Sequence, residues 1–369
     1  MSKINYVNLS SQWKYERKDI LSIIDKVSKK GQFVGGEEVA KFEKNISKFC
    51  QAKYCASLNS GTDALVCGLV ALGIKRDDEV ITPPNSFIAS TASIVHIGAK
   101  PVFVDVLKDQ NIDPEKIENA ITKKTKAIMP VHLTGRMAKM HIIKKIAKKY
   151  KLKVIEDAAQ SIGSKNNGFL SGSIGDVGCF STHSLKNLNA MGDGGFITTN
   201  NNDIYNKIIK MRNHGIENRN KVNSFGYVSR LDTIQAAILN YRIKKFKKNI
   251  EIRRYNANIY FKNLNPKNLL LPYENKGEYN TYHTFVIMTK FRDQLKQYLL
   301  NKKIETAIHY PIPIHLQPAS RKFNYRKGDF PISEKQAKSI LTLPINEYLT
   351  KKQILYVCTN INNFFKKYE

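Results

Sequence analysis

The sequence is poor in acids and in cysteine, and it lacks any long apolar run. Of its 369 residues only 31 are Asp or Glu, against 60 Lys or Arg, for a formal charge of +29. The five cysteines are Cys50, Cys55, Cys67, Cys179 and Cys358, and no two stand as CxxC. So few, and an odd number, exclude a disulfide framework for a chain this long, and the expected compartment is the reducing cytoplasm. No segment approaches the roughly 18 consecutive apolar residues of a membrane span; the longest candidate, Ala64 to Gly73, is too short. The opening Met-Ser-Lys-Ile-Asn-Tyr has no apolar core of secretory-leader length. Internal repeats and low-complexity stretches are also missing. The 20 Gly and 12 Pro are ordinary, so collagen-like and linker-like readings drop out.

What remains is a globular composition. Hydrophobic residues make up 42% and charged residues 25%, which excludes a wholly disordered chain. The length suits two domains, or one large and one small. The basic excess fits either a polyanionic partner, such as nucleic acid or a membrane surface, or charge dispersed over solvated faces. Two stretches are denser, Lys139 to Lys153 and Arg242 to Arg254. Both carry apolar residues at helical spacing, Met140, Ile143 and Ala147 in the first and Ile243, Phe246 and Ile250 in the second. They read as amphipathic helices with a wet basic face.

The first two-thirds alternates short apolar runs with helical patterns. Strands are predicted at Tyr54 to Leu58, Glu79 to Thr82, Pro101 to Val106, Ala127 to His132 and Leu152 to Glu156. Helices are predicted at Asp63 to Leu72, Ser86 to Ile97, Pro114 to Ile121 and Ala138 to Tyr150. This rhythm predicts βαβ units and a mostly parallel sheet buried on both faces, an α/β fold. After Glu156 the chain turns rich in Gly, Ser and Asn, with strands at Val177 to Ser181 and Phe196 to Thr199. A long helix is predicted from Asp232 to about Asn263, followed by Pro266 and Pro272. The tail reads as a small α+β domain with a strand at Tyr282 to Thr289, a helix at Arg292 to Asn301, a strand at Ile304 to His309 and a helix from about Thr350. The expected division is 1–250 and 251–369.

Ligands of open α/β sheets sit at the carboxyl ends of the strands. Ser60-Gly61-Thr62 follows a predicted strand and opens a helix, which makes it either a helix cap or an anion site built on free N–H groups. Glu156-Asp157 closes another strand, where an acid can ligate a metal, accept from a ribose hydroxyl, or pair with a cationic ring nitrogen. Gln160 lies three residues on. Lys186 stands in a loop after an apolar strand, with Ser181 before it, the turn Gly192-Asp193-Gly194-Gly195 after it, and Asp157 29 residues upstream.

These motifs, in this order, resemble the sugar aminotransferases of the DegT/DnrJ/EryC1/StrS family. These are pyridoxal phosphate enzymes of the aspartate-aminotransferase fold, with a large domain on a mixed, mostly parallel sheet and a small C-terminal α+β domain. The resemblance runs from Gly35-Gly36-Glu37-Glu38-Val39 through Asn59 to Leu65, Glu156 to Gln160 and the Lys186 loop. It continues through Ser229-Arg230-Leu231-Asp232 to His309-Tyr310-Pro311-Ile312-Pro313-Ile314-His315. The wording around Ser184 to Asn189 and Gly192 to Gly195 is most similar to the branch that aminates C3 of dTDP-linked 3-keto-6-deoxyhexoses. A 4-aminotransferase acting on dTDP-, UDP- or GDP-4-keto sugars is the neighbouring alternative.

The resemblance implies roles residue by residue. Lys186 matches the Schiff-base lysine, which also shuttles a proton. Asp157 matches the acid that pairs with the pyridinium nitrogen and keeps the ring an electron sink. Gln160 matches the residue near the phenolic oxygen, and Phe87 the aromatic stacked on the ring. Gly61, Thr62 and Ser181 match the phosphate cup. His183, His309, Tyr310 and His315 match contacts to the sugar nucleotide. The pair His309 and His315 lacks a third ligand, and no metal is expected. The partners implied are a nucleotide-linked keto-sugar, L-glutamate as amino donor and a second copy of the chain sharing the active site, with neither nucleic acid nor membrane. The family often has Asn before Ser-Arg-Leu-Asp, reaching the neighbouring subunit's phosphate, where this chain has Val228. Dehydratase relatives carry His in place of the lysine, so Lys186 points away from them. A reading from a different class is a non-catalytic regulator that uses the positive charge to bind nucleic acid.

Overall fold

A computed structural model describes residues 3–218 and 220–366. Its centre is a sheet of β1 (Tyr54–Leu58), β2 (Glu79–Thr82), β3 (Lys100–Phe103), β4 (Thr125–Ile128), β5 (Lys153–Asp157), β6 (Val177–Ser181) and β7 (Gly195–Thr199). Their spatial order is β1-β7-β6-β5-β4-β2-β3. The pairs β3/β2, β2/β4, β4/β5 and β5/β6 are parallel. Strand β7 runs antiparallel to both β6 and β1. Around the sheet, in chain order, stand helices α1 (Leu9–Lys30), α2 (Gly36–Cys50), α3 (Gly61–Ala71), α4 (Ile88–His96), α5 (Met140–Lys149), α6 (Asn202–Met211) and α7 (Thr233–Asn263).

Successive strand residues point to opposite faces, and here both faces are covered. Ile155 packs with Val80, Met129 and the apolar residues of α3, α4 and α6. Its neighbour Val154 packs on the other side with Ile81, Ile128 and the Met140, Ile143 and Ala147 face of α5. Phe180 and Phe196 face α2 and the first half of α7. A run that is apolar on both faces therefore reads as a strand because it has no wet side.

Beyond α7 the chain adds β8 (Phe285–Met288), α8 (Arg292–Asn301), α9 (Pro331–Ser339), β9 (Ile340–Leu343) and α10 (Lys351–Phe365). Strands β8 and β9 pair antiparallel. Their core gathers Phe285, Leu341 and Leu343, Leu295 of α8, Ile354 and Ile361 of α10, and Tyr260 from the second half of α7. Helix α7 runs unbroken for 31 residues and serves two cores, with Leu239 and Phe246 in one and Ala257 and Tyr260 in the other. Ile4 joins the C-terminal core, bridged to Ile304. Thr350 starts α10 with a capping box, in which its Oγ1 accepts from Gln353 N at 3.2 Å and Gln353 Oε1 accepts from Thr350 N at 2.9 Å.

Three sequence expectations are corrected. Ile304 to His309 is not a strand; it makes single bridges at Ile304 with Ile4 and Ala307 with Thr342. Pro114 to Ile121 forms two 3₁₀ turns, Pro114–Lys116 and Glu118–Ala120, rather than one helix. The basic stretch Arg242 to Arg254 is not a uniformly wet face. Arg242 and Arg253 are buried, and they pair with Glu16 at 2.7 Å and Glu347 at 2.9 Å. Arg242 also donates to Asn189 O at 2.7 Å, which ties α7 to the loop that carries Lys186. Removing one member of a buried pair strands the other charge. Arg242→Ala is therefore expected to lower unfolding free energy by about 3–5 kcal/mol, read from guanidinium denaturation. Among the described residues no helix is long and apolar enough to cross a membrane.

Candidate active site

One cavity of about 350 Å³ opens where the carboxyl ends of β1, β2, β5 and β6 meet the C-terminal core. Lys186, Gly61, Thr62, Phe87, Asp157, Gln160, Ser181, His183, His309 and Tyr310 all line it. His315 does not. It is buried with its ring edge-on to Phe330, 4.7 Å between centroids, and its Nε2 lies 3.1 Å from Glu334 Oε1. His315 packs beside Phe330 rather than lining this cavity, because the turn through Pro313 and Ile314 carries its ring inward.

Local sequence explains each placement. Ser60 caps α3, its Oγ accepting from Asp63 N at 3.0 Å. The next amides, Gly61 and Thr62, belong to the first helical turn, which has no partners within the helix. Gly61 is obligatory here for space, since a Cβ on it would stand 2.5 Å from the Ser181 Cβ. Two glycines after the lysine loop work alike: a Cβ on Gly194 would meet Thr182 Oγ1, and one on Gly195 would meet the Ser60 carbonyl. Backbone thus closes tightly around a small polar cradle at a helix N-terminus, which is the environment a phosphate requires.

Asp157 ends β5. Its Oδ2 accepts from Ser90 Oγ at 2.6 Å and its Oδ1 from Ala159 N at 3.1 Å. Behind it, Glu156 is fully buried. It accepts from the amides of Gly172 (2.9 Å), Ile174 (2.7 Å) and Gly175 (2.5 Å), and it lies 2.8 Å from His132 Nε2. His132 Nδ1 accepts from Ala138 N, so Nε2 carries the proton toward Glu156. Burial pushes the Glu156 carboxyl up, but His132 and these amides outweigh it and hold the carboxyl below the usual range. Neighbouring acids on one strand therefore serve opposite sides. Glu156 fastens the loop Gly172 to Gly175, and Asp157 faces the cavity.

Lys186 sits in a loop braced by Thr182 N to Gly194 O (2.8 Å), Ala190 N to Thr182 O (2.6 Å) and Ser184 N to Gly192 O (2.9 Å). Asn187 fixes the next residue, donating to Thr281 O at 3.3 Å and meeting His283 Nδ1 at 3.1 Å. Among the described residues nothing hydrogen-bonds or ion-pairs with the Lys186 side chain. Burial lowers its ammonium below the ordinary lysine range, and Asp157 only partly opposes this. The amine is thus poised to lose a proton more readily than a solvated lysine. Burial, aided by Lys186, lowers His309 to about 4, so its imidazole is neutral at neutral pH. Phe87 caps α4 and stands half exposed on the rim, 5.8 Å from the Tyr310 ring. Gln160 Oε1 accepts from Thr134 N at 2.9 Å, and its side chain reaches the Tyr310 hydroxyl.

The structure adds lining residues that sequence reasoning missed: Ser90, Arg253, His283, Glu347 and the arm Tyr6 to Leu9. None of these carried a sequence cue, Ser90 being one small residue among several of α4. Among the described residues no cluster of His, Cys, Asp or Glu is placed to hold a metal.

An amine of lowered basicity, an acid on the same cavity, a half-exposed ring and a polar cradle at a helix N-terminus fit pyridoxal phosphate by donor chemistry. Together with the sheet order they define a fold-type-I pyridoxal-phosphate aminotransferase. The profile of the DegT/DnrJ/EryC1/StrS aminotransferase family matches residues 14–362, and the chain belongs to that family. It is 39% identical over 366 residues, 98% of each chain, to a "Pleiotropic regulatory protein" of Geobacillus stearothermophilus. It is 39% identical to the dTDP-3-amino-3,6-dideoxy-alpha-D-galactopyranose transaminase of Aneurinibacillus thermoaerophilus, covering 94% of this chain and 96% of that one. It is 36% identical to the UDP-2-acetamido-2-deoxy-3-oxo-D-glucuronate aminotransferase of Pseudomonas aeruginosa, covering 98% and 100%. Among solved structures, S. venezuelae DesV in complex with a ketimine intermediate superposes with a TM-score of 0.96 at 32% identity, covering 99% of each chain.

Proposed function

We propose that this aminotransferase moves the amino group of L-glutamate to a nucleotide-linked keto-sugar, and that the acceptor is a dTDP-3-keto-6-deoxyhexose. The observation that carries the reading is Lys186, whose side chain makes no hydrogen bond or ion pair among the described residues, facing the same cavity as Asp157 with its basicity lowered by burial. Bound pyridoxal phosphate supplies a cationic ring that takes up the electron pair released at the amino-bearing carbon. Lys186 Nζ would hold the cofactor and would carry the proton between carbon centres. Asp157 keeps the ring nitrogen protonated. Gly61, Thr62 and Ser181 cradle the phosphate, Gln160 sits by the phenolic oxygen, and Phe87 covers one ring face. His183, His309 and Tyr310 orient the sugar.

The division into 1–250 and 251–369, a homodimer with shared sites, and a cytoplasmic location belong to the same proposal. Val228 stands where the family often has an asparagine, so either another residue of the loop 221–230 reaches the neighbouring phosphate or that phosphate has one fewer partner. The regulator reading has the dispersed positive charge in its favour but gives no reason for a lysine of lowered basicity beside Asp157 in a cavity of about 350 Å³. The deciding experiment supplies glutamate with 3-keto and 4-keto hexoses linked to dTDP or UDP, and locates the new amine by NMR. Amination at C3 of the dTDP sugar is expected. Amination at C4, or of UDP sugars alone, would replace the acceptor assignment, and no amination of any sugar would overturn the function.

A further inference from the structure

Ser90 lies on α4 one turn after Phe87, and both line the cavity. Its side chain and that of Asp157 are buried, the two residues being 1% and 5% exposed. The Ser90 Oγ to Asp157 Oδ2 distance of 2.6 Å is that of a hydroxyl donating to a carboxylate. Ser90 Oγ is the donor and Asp157 Oδ2 the acceptor. Its other acceptor within reach, Phe87 O, is farther away at 3.4 Å. Ser93 Oγ donates to Ser90 O at 2.9 Å and fastens the same turn. The Ser90 bond and the Ala159 amide on Oδ1 together fix the rotation of the carboxylate, and each oxygen keeps a free lone pair.

We infer that Ser90 is a positioning residue: its hydroxyl orients the Asp157 carboxylate toward the cofactor's ring nitrogen, while the same helical turn sets Phe87 against the ring. This rests on the function proposed above. A serine on a buried helix face could otherwise be plain filler bonded to its own backbone, but the short bond to Asp157 is not made by filler. The titratable groups facing Asp157 are Lys186, Tyr310 and Cys179, and none of them supplies this hydrogen bond.

The test uses the full-length holoenzyme with Ser90→Ala and Ser90→Cys. Cysteine nearly keeps the volume of serine but donates weakly. Three quantities are read: the dissociation constant of pyridoxal phosphate by equilibrium dialysis, the pH midpoint of the bound cofactor's visible absorption, and kcat and KM for glutamate separately. Both variants are expected to weaken cofactor binding about tenfold, to shift the absorption midpoint, and to lose kcat with KM nearly unchanged. Ser90→Cys matching the wild type on all three would overturn the inference, since packing alone would then explain the residue. Wild-type protein that holds no pyridoxal phosphate would instead overturn the function reading.

Discussion

Lys186→Ala is expected to purify without bound colour and to lose transamination by about ten-thousandfold or more. Proton transfer by a positioned base alone is worth about 10²–10⁴, and this variant also loses the covalent hold on the cofactor. The fold should survive, because the Lys186 side chain makes no hydrogen bond or ion pair among the described residues, and its loop is braced through Thr182, Ser184 and Ala190. Borohydride reduction of the wild type followed by peptide mapping should place the cofactor's mass on Lys186, and the variant should carry none. A label on another lysine would move the catalytic assignment there.

Asp157→Asn should show the second-largest effect. Asparagine keeps the size and one carbonyl oxygen for the Ala159 amide, and its new NH₂ can donate to the Ser90 hydroxyl, so the buried hydrogen bonds survive. Only the negative charge is lost. Removing one preorganised electrostatic partner costs about 10²–10³ in kcat, and that is the fall expected in single-turnover reaction with glutamate, with weaker cofactor retention on dialysis. Glu156→Gln should behave differently. The acid beside Asp157 bonds the amides of Gly172, Ile174 and Gly175 rather than facing the cavity, so its loss should lower thermal stability more than kcat.

Much of the sheet was legible because its strands have no wet face. Glu79 to Thr82 and Val177 to Ser181 are apolar enough that the sequence bounds match the observed strands residue for residue. Ile304 to His309 has similar residues but no full ladder. Strand β9 already pairs with β8 and offers that segment a single bridge at Thr342. Side-chain pattern alone does not say which edges are taken.

The site was legible where chemistry is compressed into short motifs, at Gly61-Thr62, Asp157 to Gln160 and Ser181 to Lys186. It was illegible where partners come from distant segments. Arg253 and Glu347 meet across 94 residues of chain, and each taken alone reads as a surface charge. Ser90 meets Asp157 across 67 residues and is indistinguishable in sequence from other small residues of α4. His315 is flanked in sequence by Ile314 and Leu316, and in space its ring meets Phe330 rather than the cavity.

The pinning of Ile4 into the C-terminal core has a consequence for biosynthesis. Ile4 N donates to Lys303 O, and Glu305 N donates to Ile4 O, each at 2.9 Å, so the arm's anchor lies 300 residues downstream of it. At the usual pace of translation, about 5–20 residues per second, a nascent chain waits roughly 15–60 seconds before that anchor emerges from the ribosome. Tyr6 to Leu9, which wall the cavity, lie just after the anchored Ile4 in the chain. The pocket's wall therefore draws on segments made at both ends of synthesis, the arm at one end and His309, Tyr310 and Glu347 at the other.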